Sequence, residues 1–350
     1  MYSKERLLSY LVDKGIVKER REVLFLDVIS QHASNRRYWR LKTPSFSFII
    51  MEYLISPFKG EEVGSISDKK NPYVEVQSIF KRYGIAVPEL YYDLTKDNLL
   101  IIEDLGDRLL ESVLLGTALD KLPSYYMRCI DIILDIQRIP LDEIKDTIVA
   151  KRRFDCGLLY WELNHFLEFG VEALEVKLSE IERKELEGLF DWIAKELFKC
   201  KIKVVHRDFQ SKNIMIKDGV YYIIDFQDAL LGPIVYDIVA LLADSYIRIP
   251  FEVQLRCFNY FSERVDYDRE RLLFYFYLQM VQRKLKDAGR FIFIDKVKKN
   301  RSFLKYFLPS LEYVERALNN LEIKNKELLL EVMERSRESF CKFYPDYINS

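Results

Sequence analysis

The sequence has no excess of charge of either sign. Its 54 Lys and Arg residues are balanced by 55 Asp and Glu residues, which gives a net charge of -1. Up to Gly106 there are 16 basic and 15 acidic residues, and after it 38 and 40, so neither part hides a strong charge in the total. Nucleic acids and anionic membrane surfaces are recognised by clustered positive charge. The composition therefore predicts neither partner, and no obligate protein partner is evident.

Cysteine is scarce and unpatterned. The five cysteines are odd in number and never form a CxxC pair: Cys129, Cys156, Cys200, Cys257 and Cys341. This distribution argues against a disulfide framework and against a zinc knuckle. We expect a reducing, cytoplasmic environment.

Long apolar runs are also missing. No window approaches the roughly 18 uninterrupted apolar residues of a membrane-spanning helix. The N-terminal stretch MYSKERLLSYLVDKG mixes charged and apolar residues, unlike an export signal. What is present is 49% hydrophobic and 14% aromatic residues in a chain of 350, which is enough for one large domain or two closely packed ones.

Residues 1–106 predict a small antiparallel sheet with one helix. The helix begins at Pro72 and ends before Gly84, because Pro favours a first helical position and Gly a stop. The strand candidates share runs of β-branched and aromatic residues: Val23 to Ser30, Tyr38 to Lys42, Phe46 to Tyr53, Leu90 to Leu94 and Leu99 to Glu103.

Residues 107–350 predict a mostly helical lobe. The amphipathic segments lie near Pro123 to Gln137, Phe154 to Phe169, Ser179 to Phe198, Phe251 to Arg264, Arg269 to Asp287, Phe303 to Leu318 and Lys326 to Phe340. Val204 to Ile224 interrupts them with short apolar runs that indicate a hairpin with a loop. The predicted fold class is α+β, with two lobes divided at residue 106.

The interrupting segment carries the strongest chemical signal. His206, Arg207 and Asp208 are followed by Asn213, five residues after the Asp, and then by Asp225 and Phe226. This is the HRDxxxxN pattern of a phosphoryl-transfer loop, followed by a DFG-like sequence that here is DFQ. Asp and Asn are also common in turns, but turn chemistry alone does not account for all of these residues together.

Phosphoryl transfer from ATP needs these residue types for physical reasons. A carboxylate must accept or orient the proton of the attacking hydroxyl, and Asp208 is the candidate catalytic base. A second carboxylate and an amide oxygen must hold Mg²⁺ against the nucleotide phosphates, and Asp225 and Asn213 are the candidate metal ligands. His206 is expected to brace the loop, and Asp237 to clamp it. ATP and Mg²⁺ are the predicted cofactors.

These motifs resemble the aminoglycoside phosphotransferase branch of the protein-kinase-like fold. Within it, the chain is similar to bacterial cell-wall sugar kinases that phosphorylate the anomeric hydroxyl of N-acetylmuramate and N-acetylglucosamine. The similar stretches are HASNRRYWR, FSFIIMEY, IIEDLGD, QRIP, VHRDFQSKNIMI, IIDFQDALLGPIVYDIVALL and VQRKLK. The resemblance implies a bilobal fold and a kinase that acts in cell-wall sugar recycling.

Two features of an ordinary kinase are absent from the sequence. The phosphate loop at Ala33 to Arg37 has no glycine, and Met51 or a neighbour takes the place of the phosphate-binding Lys. Positive charge is still needed near the triphosphate. The candidate nucleotide contacts in this segment are Ser34, Asn35, Arg36, Arg37 and Arg40. The resemblance further implies that the hinge from Glu103 to Leu105 binds adenine.

The acceptor is predicted to be a small molecule. Tyr236 follows Asp225 by eleven positions, which leaves no room for a peptide-docking segment, and no APE motif follows. Asp228 is a candidate contact to a sugar hydroxyl, and the resemblance brings Glu162 and Arg283 toward the acceptor. For Glu162 and Arg283, an ion-paired helix position is an equally good interpretation.

Three alternatives stay open at this point. An aminoglycoside kinase would need an acidic acceptor site for its polycationic substrate, which the balanced charge does not favour. A kinase of another sugar or of an amino alcohol would share the motifs that serve ATP. A nucleotide-binding scaffold without turnover is suggested by the missing Lys, although Asp208, Asn213 and Asp225 are all present.

Overall fold

The structure is a computed structural model that describes residues 1–30, 36–54 and 70–348. The strands are β1 (Phe25–Ser30), β2 (Arg36–Lys42), β3 (Ser47–Tyr53), β4 (Leu90–Leu94), β5 (Leu99–Glu103), β6 (Ile202–Val205), β7 (Ile214–Lys217), β8 (Val220–Ile223) and β9 (Leu230–Pro233). The helices are α1 (Lys4–Asp13), α2 (Pro72–Arg82), α3 (Leu110–Leu115), α4 (Leu122–Gln137), α5 (Ile148–Lys151), α6 (Cys156–His165), α7 (Glu180–Phe198), α8 (Tyr236–Leu242), α9 (Phe251–Ser262), α10 (Arg269–Lys298), α11 (Phe307–Leu318) and α12 (Lys326–Phe343).

The chain divides into two compact units. The first consists of Met1–Leu109 and Ile214–Asp228, and the second of Leu110–Asn213 and Ala229–Ser350. The sequence placed a single boundary at residue 106. The hairpin of β7 and β8 groups with the first unit because Ile216 N donates to the Arg108 carbonyl and Ile223 N to the Ala86 carbonyl, both at 2.9 Å.

The first unit contains an antiparallel sheet whose described strands follow the order β1-β2-β3-β5-β4. The bounds of β4 and β5 agree with the sequence prediction, and β2 begins two residues earlier than predicted. Asn71 caps α2 by accepting a hydrogen bond from Tyr73 N, and Pro72 occupies the first turn, as predicted. The predicted antiparallel sheet and helix are therefore both present.

Helix α1 was not predicted. Ser3 caps it by accepting a hydrogen bond from Arg6 N. Leu7 and Leu11, one turn apart, are buried on one face of the sheet. The other buried members of this core are Ile16, Val17, Leu26, Trp39, Leu41, Phe48, Ile50, Leu99 and Ile101. Burial of Leu7 and Leu11 against this core explains why a segment rich in charged residues is helical.

The second unit is mainly helical, and α10 is its longest described helix with 30 residues. The sequence predicted that α10 ends at Asp287, but it continues to Lys298. Gly289 lies inside the helix, where its missing side chain lets α6 approach closely. A Cβ at this position would lie 2.4 Å from the His165 carbonyl oxygen. Among the described residues, no helix has an apolar stretch long enough to cross a bilayer.

The strand segment that the sequence predicted as one hairpin forms two separate pairs. Strands β7 and β8 form a hairpin with Asp218 and Gly219 in its turn, both at positive φ. Strand β6 pairs instead with β9, in a register that joins Val205 to Leu230. The second pair fixes the backbone that leads into His206 in the second unit.

Candidate active site

The loop after β6 is clamped by Asp237, as predicted. His206 N and Arg207 N donate to the two carboxylate oxygens of this fully buried residue, at 2.6 and 3.0 Å. Arg207 has a φ of 79°, a left-handed conformation that a residue with a side chain rarely adopts. Burial raises the pKa of Asp237 to about 7, against the lowering effect of the two hydrogen bonds. The clamp therefore holds the strained backbone that precedes Asp208.

Asp208 presents a charged carboxylate that is 43% exposed. Arg283 Nη2 lies 3.2 Å from Asp208 Oδ1, and Arg283 Nη1 donates to the Arg207 carbonyl at 2.8 Å. Burial would raise the pKa of Asp208, but the charges of Arg283, Lys286, Arg207 and His206 lower it to about 2. The carboxylate is ionised at neutral pH, so it can accept a hydrogen bond from an attacking hydroxyl and orient it.

Asn213 belongs to the same loop as Asp208. Its Nδ2 donates to the Asp208 carbonyl at 2.8 Å, which leaves its side-chain oxygen as an acceptor. Ser211 fixes the loop between them, because its backbone N and its Oγ both donate to Asp244 Oδ2, at 2.9 and 2.6 Å. The structure thus brings Asp208 and Asn213 together, as their five-residue spacing suggested.

Glu162 and Arg283 contact the catalytic loop. Arg283 is 1% exposed and both of its terminal nitrogens bind the loop. Glu162 is equally buried; its Oε1 lies 3.6 Å from Arg207 Nη2, and its Oε2 accepts from Gln282 Nε2 at 2.8 Å. Both side chains support the backbone and charge around Asp208.

In the first unit, Asp225 has a φ of 61° and is 39% exposed. Arg36 Nη2 lies 3.1 Å from its Oδ1. Gln227 Nε2 donates to Asp225 Oδ1 at 3.1 Å and to Asp228 Oδ2 at 2.7 Å, so this amide links the two carboxylates. The unexpected Gln of the DFQ sequence therefore has a definite structural role.

Phe226, between these polar residues, is fully buried. Its ring packs against those of Tyr73 and Phe80 on α2, at centroid distances of 4.6 and 5.8 Å. Such aromatic contacts stabilise the position of the segment. Helix α2 therefore anchors Asp225 through its neighbour.

Neighbouring arginines on β2 point to opposite faces of the sheet because side chains alternate along a strand. Arg36 contacts Asp225. Arg37 lies on the other face, where its Nη2 is 2.6 Å from Glu52 Oε2 and donates to the Tyr2 carbonyl at 2.6 Å. Arg37 therefore has carboxylate and carbonyl partners within the fold.

Arg40 is held by the segment that follows β5. Its Nη2 donates to Asp104 Oδ1 at 3.0 Å and to the Gly106 carbonyl at 2.8 Å, and its Nη1 donates to Asp107 Oδ1 at 2.8 Å. Burial would raise the pKa of Asp104, but hydrogen bonds from Ser47 and Gly106 and the charge of Arg40 keep it below its ordinary value. Arg40 is thus part of a buried ion pair.

The predicted hinge is tied to the hairpin of β7 and β8. Lys217 Nζ lies 2.7 Å from Glu103 Oε1 and donates to the Asp104 carbonyl at 3.0 Å. Leu105 is buried. Ser34 and Asn35, the other predicted phosphate contacts, lie outside the described residues.

The sequence interpretation did not single out Asp104, Lys217 or Lys286. Lys286 belongs to the VQRKLK stretch and lies three residues after Arg283 on α10. That spacing places two side chains on one face of a helix. Asp104 and Lys217 are joined only by tertiary contacts, for which the sequence gives no local signal.

The chain matches the model of a family described as "Phosphotransferase enzyme family" (APH) over residues 26–273. Two similar relatives are named N-acetylmuramate/N-acetylglucosamine kinase. The Pseudomonas putida protein is 26% identical over 226 residues, which cover 64% of this chain and 61% of that one. The Neisseria meningitidis protein is 28% identical over 259 residues, which cover 70% of this chain and 75% of that one. The chain thus spans less than two thirds of the length of the first relative.

Solved structures share the fold. Choline kinase LicA from Streptococcus pneumoniae has a TM-score of 0.60 at 13% identity, with 91% of this chain and 99% of that chain covered. The ADP-bound aminoglycoside phosphotransferase APH(2'')-Ib has a TM-score of 0.59 at 14% identity, with 95% and 98% covered. The family match includes β2 to β9, all of β1 except Phe25, and the whole catalytic loop. Because it extends over more than half of the sequence, this chain belongs to the phosphotransferase enzyme family.

Proposed function

We propose that the protein transfers the γ-phosphoryl group of ATP to the anomeric C1 hydroxyl of N-acetylmuramate, N-acetylglucosamine or both. The observation that carries the proposal is the half-exposed, ionised Asp208 held by Arg283 in the HRDxxxxN loop. The acceptor class is supported by the names of the relatives. The transfer itself follows from the family to which the chain belongs.

Asp208 orients the C1 hydroxyl of the acceptor and accepts its proton as the phosphoryl group is transferred. A hemiacetal hydroxyl is more acidic than an ordinary alcohol because the ring oxygen withdraws electron density. A carboxylate with a pKa of about 2 is a weak base, and it suits an acceptor that needs orientation more than early deprotonation. Positioning then supplies most of the catalysis.

The first unit contributes charge for the nucleotide. Arg36 replaces the missing strand Lys, since its guanidinium already lies beside Asp225. Ser34 and Asn35 bind phosphate with it. Arg37 and Arg40 stabilise the fold through Glu52 and Asp104.

Adenine binds to backbone groups between Glu103 and Leu105, and Lys217 keeps that segment in place.

Magnesium fits the residues that are present. Asp225 offers a carboxylate that is 39% exposed, and Asn213 a side-chain oxygen whose amide nitrogen is already bonded. Both are hard oxygen ligands of the type Mg²⁺ prefers, so these two side chains would hold the ion. When bound, it would supply positive charge that neutralises the triphosphate. Asp228 remains the candidate contact to a sugar hydroxyl, while Glu162 and Arg283 act indirectly by holding Arg207 and Asp208.

A coupled assay of ADP formation tests the proposal. The purified full chain is supplied with ATP, Mg²⁺ and either N-acetylmuramate, N-acetylglucosamine, kanamycin or choline, and Asp208→Asn serves as the isosteric control. We expect ADP formation that depends on an N-acetylated amino sugar and is lost in the control. Turnover with kanamycin or choline and none with either amino sugar would overturn the proposal.

A further inference from the structure

Helix α10 places a second cation beside the one that holds the catalytic carboxylate. Arg283 Nη2 lies 3.2 Å from Asp208 Oδ1. Lys286 follows by three residues, so its side chain lies on the same face of the helix, about one turn further along. Within the second unit, Lys286 is therefore next to the group that we propose orients the acceptor hydroxyl.

Lys286 is more available to bind an anion than the neighbouring cations are. Arg283 is 1% exposed and uses both terminal nitrogens on the loop. Lys284 is fully buried, where its Nζ binds Ser245 and lies 3.1 Å from Asp287 Oδ2. The side chain of Lys286 is 18% exposed, and the ion pair that the structure gives it is a 3.4 Å contact with Asp287 Oδ1. An ammonium has three donors, so Lys286 retains capacity for an anion.

The charge of Lys286 acts on the groups around the acceptor position. Burial would lower its pKa, but Tyr236, Asp287 and Glu162 raise it above the ordinary value, so the side chain is protonated at neutral pH. In turn, Lys286 and Arg283 together help to lower the pKa of Asp208. A charge that acts on Asp208 in this way also acts on a substrate bound there, because the Coulomb interaction does not distinguish the two.

We propose that Lys286 recognises a carboxylate substituent of the acceptor sugar, and so sets a preference for anionic over neutral and cationic amino sugars. The inference rests on the proposed function and names its substrate class. N-acetylmuramate carries such a carboxylate on its lactyl ether, and N-acetylglucosamine is the same sugar without that ether. Arg283, which the resemblance brought toward the acceptor, uses its two terminal nitrogens on the Arg207 carbonyl and on Asp208.

Three acceptors that share the C1 hydroxyl test the inference: anionic N-acetylmuramate, neutral N-acetylglucosamine and cationic glucosamine. KM and kcat are measured for the wild-type chain, Lys286→Met, Lys286→Arg and Lys286→Glu. In Lys286→Met we expect KM for N-acetylmuramate to rise about ten- to hundred-fold, the usual effect of losing a charge-assisted hydrogen bond, with little change for N-acetylglucosamine. Lys286→Arg should keep the preference, and Lys286→Glu should favour glucosamine.

Lys298→Met is the matched control, because it removes an exposed lysine from the far end of the same helix. It should leave all three KM values unchanged. An equal rise in KM for N-acetylmuramate and N-acetylglucosamine, or a fall in kcat with KM unchanged, would overturn the role of Lys286. Either result would leave the proposed function standing. If the wild-type chain accepts neither N-acetylated sugar, the proposed function and this inference fail together.

Discussion

The ionisation of Asp208 determines what this side chain can contribute to phosphoryl transfer. A carboxylate with a pKa of about 2 stays charged throughout the neutral range, so it is ready to accept a hydrogen bond. Because its pKa is lower in the folded chain than the ordinary value of 3.8, its ionisation stabilises the fold above about pH 4. That contribution is lost as the pH falls toward 2.

Replacement of the two carboxylates should separate catalysis from folding. Asp208→Asn and Asp225→Ala are each expected to lower kcat by at least about 10³-fold, because one loses the proposed proton acceptor and the other the proposed metal ligand. Both side chains are partly exposed, so each variant should remain folded, although Asp208→Asn loses the stabilisation that the ionised carboxylate gives and should melt at a somewhat lower temperature. Steady-state kinetics and circular dichroism melting give the two readouts, and a near-normal kcat in either variant contradicts the assignment.

Arg283 is expected to act through Asp208, as a positioning residue. In Arg283→Met the carboxylate loses its largest attractive partner, while Lys286, Arg207 and His206 remain around it. We expect kcat to fall about 10- to 100-fold and the acidic limb of the kcat profile to move to higher pH, because the pKa of Asp208 rises. Arg283→Lys should restore part of both effects. A uniform loss of kcat with an unchanged profile would show a structural role only.

The roles of the arginines on β2 were predictable in part. The sequence started this strand at Tyr38, and so treated Arg36 and Arg37 as equivalent loop residues. The strand in fact begins at Arg36, and strand alternation then separates the two side chains. The partners Glu52 and Asp104 come from tertiary contacts, which local sequence patterns do not indicate.

At the level of elements, Gly289 sets the distance between α6 and α10. This contact brings Glu162 Oε2 on α6 within 2.8 Å of Gln282 Nε2 on α10. A methyl group at residue 289 would meet the His165 carbonyl oxygen at 2.4 Å and its carbon at 2.7 Å, and backbone atoms cannot swing away as a flexible side chain can. Close packing of the helices therefore depends on the missing side chain.

Gly289→Ala is expected to destabilise the chain by about 1–3 kcal/mol, the usual cost of forcing extra volume into a packed interior. Gly188→Ala is the matched control, because Gly188 lies within α7 and a Cβ there would meet no atom within 4 Å. The free energy of unfolding of that variant should rise by up to about 1 kcal/mol, because Ala has a higher helix propensity than Gly. Urea denaturation measures both free energies of unfolding, and equal effects in the two variants would contradict the account of Gly289.

The elements that the sequence predicted well are those with a strong local signal. Strand β5 is a continuous apolar run, the turn at Lys96 to Asn98 separates it from β4, and helix α2 has apolar positions at helical spacing between Pro72 and Gly84. The pairing of β6 with β9 was missed because 24 residues separate the two strands, so the pairing depends on long-range contacts. Helix α1 was missed because it buries only Leu7 and Leu11, which form a narrow apolar stripe among charged residues.

At the level of the whole molecule, the two units carry different parts of the proposed chemistry. The first holds Asp225, Arg36 and the predicted hinge, and the second holds Asp208 and Asn213. A ligand that binds only the folded chain stabilises it by RT ln(1 + [L]/Kd). Nucleotide binding is therefore measurable as stability, independently of turnover.

ATP with Mg²⁺ should raise the melting temperature of the wild-type chain more than ATP with EDTA does. At a concentration 100 times Kd the stabilisation is about 2.7 kcal/mol. In Asp225→Ala we expect the difference between the two conditions to disappear, because the proposed metal ligand is gone, while some stabilisation by ATP remains. Differential scanning fluorimetry gives the comparison, and an undiminished magnesium effect in that variant would count against Asp225 as a ligand.

In the proposed reaction, Asp208 directs the phosphoryl group to the C1 oxygen of an amino sugar. The most direct test is phosphorus and proton NMR of the products formed from ATP, Mg²⁺ and N-acetylmuramate or N-acetylglucosamine, with Asp208→Asn in parallel. With the wild-type chain we expect one sugar 1-phosphate for each ADP, and with the variant no sugar phosphate. Phosphate on another hydroxyl, or ADP released with free phosphate alone, would contradict the proposed reaction.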